Sequence, residues 1–402
     1  MRILAACSLG GAGHLRPLVP FLDQARSSGG QTLVVGPPAL GSLVEAAGHP
    51  FLAGGEPSEA QVRPIREQLP ILPPQEASVL GTRELFGRLA ATAMLPATER
   101  VMRDWRPQVV VRDPYEYASA VVAARLGIPA AQVAVGLAAG EWDEIGVAAP
   151  ALETYHTGLT AELRRWPYLT RFPAALDPSP FPGTQRYREP ARAPCKPLPG
   201  WWPGNHAPLV YVSFGTVLGH MSFAAEVYHT VIDAVSGLDA RVLLTTGHGF
   251  DPSRLTELPA HVHVEAWVDQ ADVLAEARLV VCHGGSGTTY GALAAGLPLV
   301  VVPVFSDQFA NASAATQAGA ALQVRPAQDP AGQDPAGQHP AGRRRPVGRE
   351  DAPQIRAAIE AALADHAYRD AAQAVAADMA AAPDIATTLA QLLSLSSPTG
   401  NS

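Results

Sequence analysis

Residues 279 to 290 read Leu279-Val280-Val281-Cys282-His283-Gly284-Gly285-Ser286-Gly287-Thr288-Thr289-Tyr290. Four apolar residues without polar alternation suit a parallel strand covered on both faces. They run into a small-residue turn, and a helix is expected over 290–295. Glycines in such a turn let the backbone reach positive φ and let a ligand approach the amides closely. Ser286 and Thr288 add hydroxyl donors, and the helix N-terminus adds partial positive charge. His283, at the strand exit, can hydrogen-bond an anionic oxygen. The stretch reads as a diphosphate-binding turn; the plainer alternative is a tight turn with Ser286 as its N-cap.

Working outward, the same pattern recurs in both halves. Apolar runs at 3–7, 32–35, 109–111 and 132–135 precede those at 209–214, 241–245, 262–266, 279–282 and 299–304. Longer helical stretches separate them, so the fold class is α/β, with right-handed crossovers and open, doubly wound parallel sheets. Two sets in one chain imply two Rossmann-like domains. The expected division is 1–195, a linker at 196–208, a second domain over 209–367 and a C-terminal helix over 368–402 that crosses back to the first domain. The linker ends a proline-dense stretch from Pro173 to Pro208, in which Trp201 and Trp202 are expected to pack at the hinge. Within the second domain, Asp329-Pro330-Ala331-Gly332-Gln333 repeats at Asp334-Pro335-Ala336-Gly337-Gln338 and then degenerates. A Pro/Gly repeat of this kind cannot offset the entropy of folding, so 326–346 is expected to be a disordered insertion. Arg343-Arg344-Arg345, which follows, reads as a solvated charge run. Helical segments are expected near 352–364 and 368–393.

A chain of 402 residues fits two domains, and 47% apolar residues suffice for sizeable cores. The net charge of −8 disfavours nucleic acid and anionic membrane as partners, but not a small anion held by backbone amides. Cys7 and Cys282 fall in strand-like runs and, with Cys195, form no metal-ligand or disulfide spacing. The N-terminal apolar run is too short for a signal peptide, and no run approaches a membrane span, so a cytoplasmic location is expected.

Further motifs lie at strand exits. Gly215-Thr216 follows one run and can present an amide and a hydroxyl to a diphosphate. Trp267-Val268 follows another, where an indole can stack on a base; a core tryptophan is the alternative. Asp307-Gln308 pairs a carboxylate with a carboxamide, a combination suited to vicinal hydroxyls, against the alternative of a solvated loop. In the first half, Gly13-His14 lies past the first strand, where ligands bind in doubly wound sheets. His14 is a candidate general base, with Asp113 at the end of a second strand to orient it. Alone, His14 reads as a helix cap and Asp113 as a turn former before proline. Leu85, Leu89, Met94, Val101 and Met102 recur at roughly helical intervals over 80–105. Phe86, Met94 and Trp142, with Trp166 and Tyr168 nearby in sequence, are candidate acceptor-lining residues, although core packing explains such stripes as well.

Taken together, these motifs resemble the bacterial natural-product glycosyltransferases of the two-domain GT-B class, within the family that includes plant small-molecule glycosyltransferases. The likeness runs from Gly13-His14-Leu15-Arg16-Pro17 to the terminal helices, and rests most on 283–288 and on Asp307-Gln308 with Asn311. It implies an inverting, metal-independent transfer from a dTDP- or UDP-sugar co-substrate, with no other cofactor, to a hydroxyl of an apolar aglycone in antibiotic or secondary metabolism. It implies that His14 deprotonates the acceptor and Asp113 supports it. Gly13, Gly215, Thr216, His283, Gly285, Ser286, Gly287 and Thr288 would serve the donor, Trp267 and Val268 its base, and Asp307 and Gln308 its sugar. It also implies an interdomain cleft. Asp269 stands where many relatives have proline, and the repeats interrupt the pattern beyond Val324. A symmetric homodimer is the expected assembly. The alternatives are a nucleotide-sugar epimerase on the same fold and a noncatalytic partner protein. A dinucleotide-dependent oxidoreductase fits less well. Gly11-Ala12-Gly13 is followed by Arg16 where the third glycine belongs, and Val34-Val35-Gly36-Pro37 carries no acid for a ribose.

Overall fold

A computed structural model of the chain describes residues 1–9, 11–69, 72, 74–190, 195–304, 307–325 and 347–395. It divides into two compact units, one of 1–190 with 382–402 and one of 191–381. In the first, β1 (Arg2–Ala6), β2 (Gln31–Gly36), β3 (Phe51–Ala53), β4 (Val109–Arg112), β5 (Ala130–Val133), β6 (Tyr168–Thr170) and β7 (Thr184–Arg186) form one sheet in the order β3-β2-β1-β4-β5-β6-β7. Every pairing is parallel. Period-2 alternation sends the strand residues into two cores. Ile3, Ala5, Val109 and Val111 join Phe21, Leu22 and Leu389 on one face. Leu4, Ala6 and Val110 join Met94, Met102 and Val122 on the other.

The second unit repeats the plan with β8 (Leu209–Ser213), β9 (Arg241–Thr245), β10 (Val262–Glu265), β11 (Ala277–Cys282), β12 (Leu299–Val301) and β13 (Ala321–Gln323) in the order β10-β9-β8-β11-β12-β13. These strands are also all parallel. Val210, Val212, Val281 and Val300 pack against helix residues Val227, Val231, Ile355 and Ile359. The α/β, doubly wound expectation holds for both units.

Several boundaries differ from the expected ones. The helix Ser286–Ala294 begins four residues early, because Gly285 takes an extended conformation as N-cap and Ser286 is already helical. The expected helix at 368–393 is two: His366–Ala381 packs on Ser286–Ala294, and Ile385–Leu395 packs on Val19–Ser27. The chain therefore re-enters the first unit at Ala382, not near 368. The proline-dense stretch is not all linker, since it supplies β7. Its later part is tied to the second unit by Lys196 N to Asp272 and Leu198 N to Glu276, at 2.8 and 3.0 Å. Trp201 stacks on His263 at 4.4 Å and Trp202 donates to the His261 carbonyl, so both pack beside β10. Residues 80–90 belong to a π-helix, Val79–Ala90, that runs into the α-helix Ala91–Trp105. Its wider turn buries Thr82 and Gly87, five residues apart, in place of Leu85 and Leu89. The repeat and arginine run at 326–346 lie outside the described residues.

Candidate active site

In each sheet the strand order reverses beside the first strand, between β1 and β4 in one unit and between β8 and β11 in the other. Loops leaving the two strands diverge at such a switch point and open a crevice at their C-terminal ends. The sequence places its candidate residues at these two points.

In the first unit, His14 sits in the short helix Ala12–Leu15 after β1, and Asp113 directly follows β4. His14 Nδ1 lies 3.1 Å from Asp113 Oδ1, with side-chain exposures of 19% and 0%. Ser8 N donates to Asp113 Oδ2, and Ser8 Oγ and Tyr115 N donate to Oδ1 at 3.3 and 2.8 Å. Burial alone would push the Asp113 carboxyl up, but the imidazole and these donors outweigh it and hold its pKa below the ordinary value. A carboxylate on Nδ1 fixes the ring proton there and makes Nε2 the basic nitrogen. Phe86 stacks over the imidazole at 6.3 Å, and Tyr115 lies tilted at 5.5 Å. A small cavity here is lined by Ser8, Met94, Tyr115 and Tyr117. Trp142 is placed differently: it packs edge-on to Phe181 with Arg164 over its ring, inside a helical core cluster. Gly13 is exposed, and a side chain there would meet nothing.

Beneath the dyad lies a buried polar layer. The Arg112 guanidinium donates to the Glu116 and Pro114 carbonyls and to Gln132 Oε1. Gln132 in turn donates to Glu141, which also accepts from the Val135 and Gly136 amides. Burial raises the Glu141 carboxyl to about 8, so at neutral pH it is mostly protonated.

In the second unit, β8 ends at Ser213 beside Cys282 of β11, so the Gly215-Thr216 and His283–Thr288 loops leave side by side. The glycines make room for His283. A Cβ on Gly215 would sit 2.9 Å from the imidazole Cε1 and Nε2, and one on Gly285 would collide with Nε2. Gly284 takes φ +89°, and its missing Cβ would meet the Gln308 carbonyl at 2.8 Å. Burial lowers the His283 pKa to about 4 despite the opposing charge of Asp307, so its ring is neutral at physiological pH. Nδ1 of that ring is buried without a hydrogen-bond partner.

Ser286 opens the helix, Gly287 is exposed and Thr288 is buried behind them. Ser286 Oγ donates to Asp307 Oδ2 at 2.9 Å. Asn311 Nδ2 reaches the Gly284 carbonyl, Ser286 Oγ and Asp307 Oδ2 at 2.8, 3.0 and 3.1 Å. Gln308 is 3% exposed, and its Oε1 accepts from Val304 N. Thr216 is exposed, as is Trp267 at 53%, so the core alternative for that indole does not hold. Asp269 caps the helix Gln270–Glu276 by accepting from Ala271 N.

Two family models match the chain: erythromycin biosynthesis protein CIII-like N-terminal domain over 24–179, and the corresponding C-terminal domain over 229–338. The elloramycin glycosyltransferase ElmGT of Streptomyces olivaceus is 32% identical, across 80% of this chain and 86% of its own.

The chain belongs to the erythromycin biosynthesis protein CIII-like family.

It is a bacterial natural-product glycosyltransferase of the antibiotic-biosynthesis type. Its fold is shared with the glycosyltransferase SnogD from Streptomyces nogalater, at a TM-score of 0.74 and 24% identity over 99% of both chains. The spinosyn rhamnosyltransferase SpnG, solved with thymidine diphosphate, matches at a TM-score of 0.73 and 22% identity over 98% of this chain and 100% of its own. The fold of this glycosyltransferase is thus GT-B. Among its described residues no helix is long and apolar enough to cross a membrane.

Ser8 and Tyr115 were not singled out in the sequence. Tyr115 carried a signal, an aromatic two residues beyond a strand-end carboxylate. Ser8 carried none, because its role depends on which strand pairs with β1.

Proposed function

We propose that this glycosyltransferase moves a sugar from a thymidine- or uridine-diphosphate donor to a hydroxyl of an apolar small molecule, inverting the anomeric carbon. The observation that carries the reading is the His14–Asp113 pair, an imidazole oriented by a wholly buried carboxylate at a switch point. His14 Nε2 takes the acceptor proton, and the acceptor oxygen bonds to the anomeric carbon. The bond from that carbon to the diphosphate oxygen breaks on the opposite face, and the diphosphate leaves with the electron pair. Asp113 stabilises the imidazolium that forms. The helix N-terminus at Ser286 offers unpaired amides to the charge growing on the leaving group. No metal enters this scheme. Phe86 supplies apolar surface beside the imidazole, and Met94 lines the small cavity that Ser8 and Tyr115 also line.

The donor class is supported by the thymidine diphosphate bound in the SpnG structure. Trp267 is exposed for stacking on a base, and Asp307 lies beside the loop for sugar hydroxyls. The test is turnover of a sugar-nucleotide panel with aromatic and macrocyclic acceptors, with product configuration read by NMR. Inversion is expected, and His14→Ala is expected to lower kcat about 10²–10⁴-fold with diphosphate affinity unchanged. Retention of configuration, or near-native turnover in the folded variant, would refute the scheme.

A further inference from the structure

Ser286 Oγ carries one hydrogen, and it is committed to Asp307 Oδ2 at 2.9 Å. Asn311 Nδ2 carries two. One meets the Gly284 carbonyl, and the other lies between Ser286 Oγ and Asp307 Oδ2. Asn311 is 2% exposed and its Oδ1 has no partner, so its amide is held in this cluster by Nδ2. A phosphate oxygen accepts only. Ser286 can donate to it only by releasing Asp307, and Asp307 Oδ2 then lacks one donor.

We infer that the Ser286–Asp307 hydrogen bond is an exchangeable latch that makes the enzyme favour a sugar-bearing diphosphate over the bare diphosphate. This rests on the donor site proposed above. When the whole donor binds, Ser286 turns its hydrogen to the diphosphate and a sugar hydroxyl replaces it on Asp307, so both groups stay satisfied. When the sugar has been transferred, Asp307 loses that hydroxyl and takes Ser286 back. The product diphosphate thereby loses a donor and leaves more readily. Asn311 holds both partners in place throughout and acts as a positioning residue.

The test is a double-mutant cycle on affinity for thymidine diphosphate alone, measured by calorimetry. Removing the competitor in Asp307→Ala frees the Ser286 hydroxyl, so affinity is expected to rise about three- to tenfold, the worth of one net hydrogen bond. In Ser286→Ala the same Asp307→Ala change is expected to alter affinity less than twofold. Both positions are accessible, so the fold is expected to survive, which circular dichroism checks. If the gain persists at full size in the Ser286→Ala background, it comes from lost charge repulsion and the latch is wrong. No gain in the single variant also overturns it. If the wild type binds neither thymidine nor uridine diphosphate, the donor-site reading fails and the latch falls with it.

Discussion

At the scale of single residues, local polarity decides what each histidine does. His14 and His283 both leave strand ends, yet one faces a buried carboxylate and the other is wedged between two glycines. In the proposed scheme, Asp113→Asn keeps the shape but loses the charge that stabilises the imidazolium. A drop in kcat of about 10²–10⁴-fold is expected, with little change in donor affinity. His283 has a different signature. Its folded pKa of about 4 lies below the ordinary 6.5, so the unfolded chain binds the extra proton between those values. The stabilisation is complete above pH 6.5 and is lost as pH falls toward 4. Denaturant titrations at pH 7 and 5 are expected to show a larger loss for wild type than for His283→Gln. Equal losses would contradict a buried neutral ring. Both histidines were legible in the sequence from their place at strand exits. Their partners were less so: Asp113 stood out as a carboxylate ending a strand of the same sheet, whereas Ser8 and the Glu141 layer needed the strand order of the fold.

At the scale of elements, the sequence was clearest where strands were buried on both faces. β1, β4, β8, β9 and β11 read as apolar runs because neither face meets water. β3, β6, β7 and β13 have three residues each, and β3 and β7 are partly exposed, so no apolar run announces them. The start of the helix Ser286–Ala294 was obscured because Ser286-Gly287-Thr288 has the composition of a turn while forming helix. Glycines within that element are not equivalent. Gly285→Ala places a methyl against His283, so at least a tenfold loss of thymidine diphosphate affinity is expected. At Gly287 an added Cβ meets nothing and φ is not positive. Gly287→Ala is expected to be neutral or to stabilise by up to about 1 kcal/mol. Equal effects of the two substitutions on affinity and stability would show that the loop has no steric demand for His283.

At the scale of the whole molecule, the two-unit plan was legible because the βα pattern occurs twice, but the point of return was not. Ala382 to Asp384 interrupt what reads as one helical stretch, and contact with Val19–Ser27 places Ile385–Leu395 in the first unit. Ile385, Leu389 and Leu392 complete the core that contains Phe21 and Leu22. Leu389→Ala is expected to destabilise the first unit by about 2–5 kcal/mol, seen as a lowered unfolding midpoint. An unchanged midpoint would mean that the helix only decorates the surface. The central claim, that the second unit binds a nucleoside diphosphate at the 283–288 loop, is tested most directly by calorimetry of the intact protein with thymidine and uridine diphosphates. Saturable one-to-one binding of at least one is expected, weakened at least tenfold in Gly285→Ala. Binding of neither, or binding indifferent to Gly285, would contradict it.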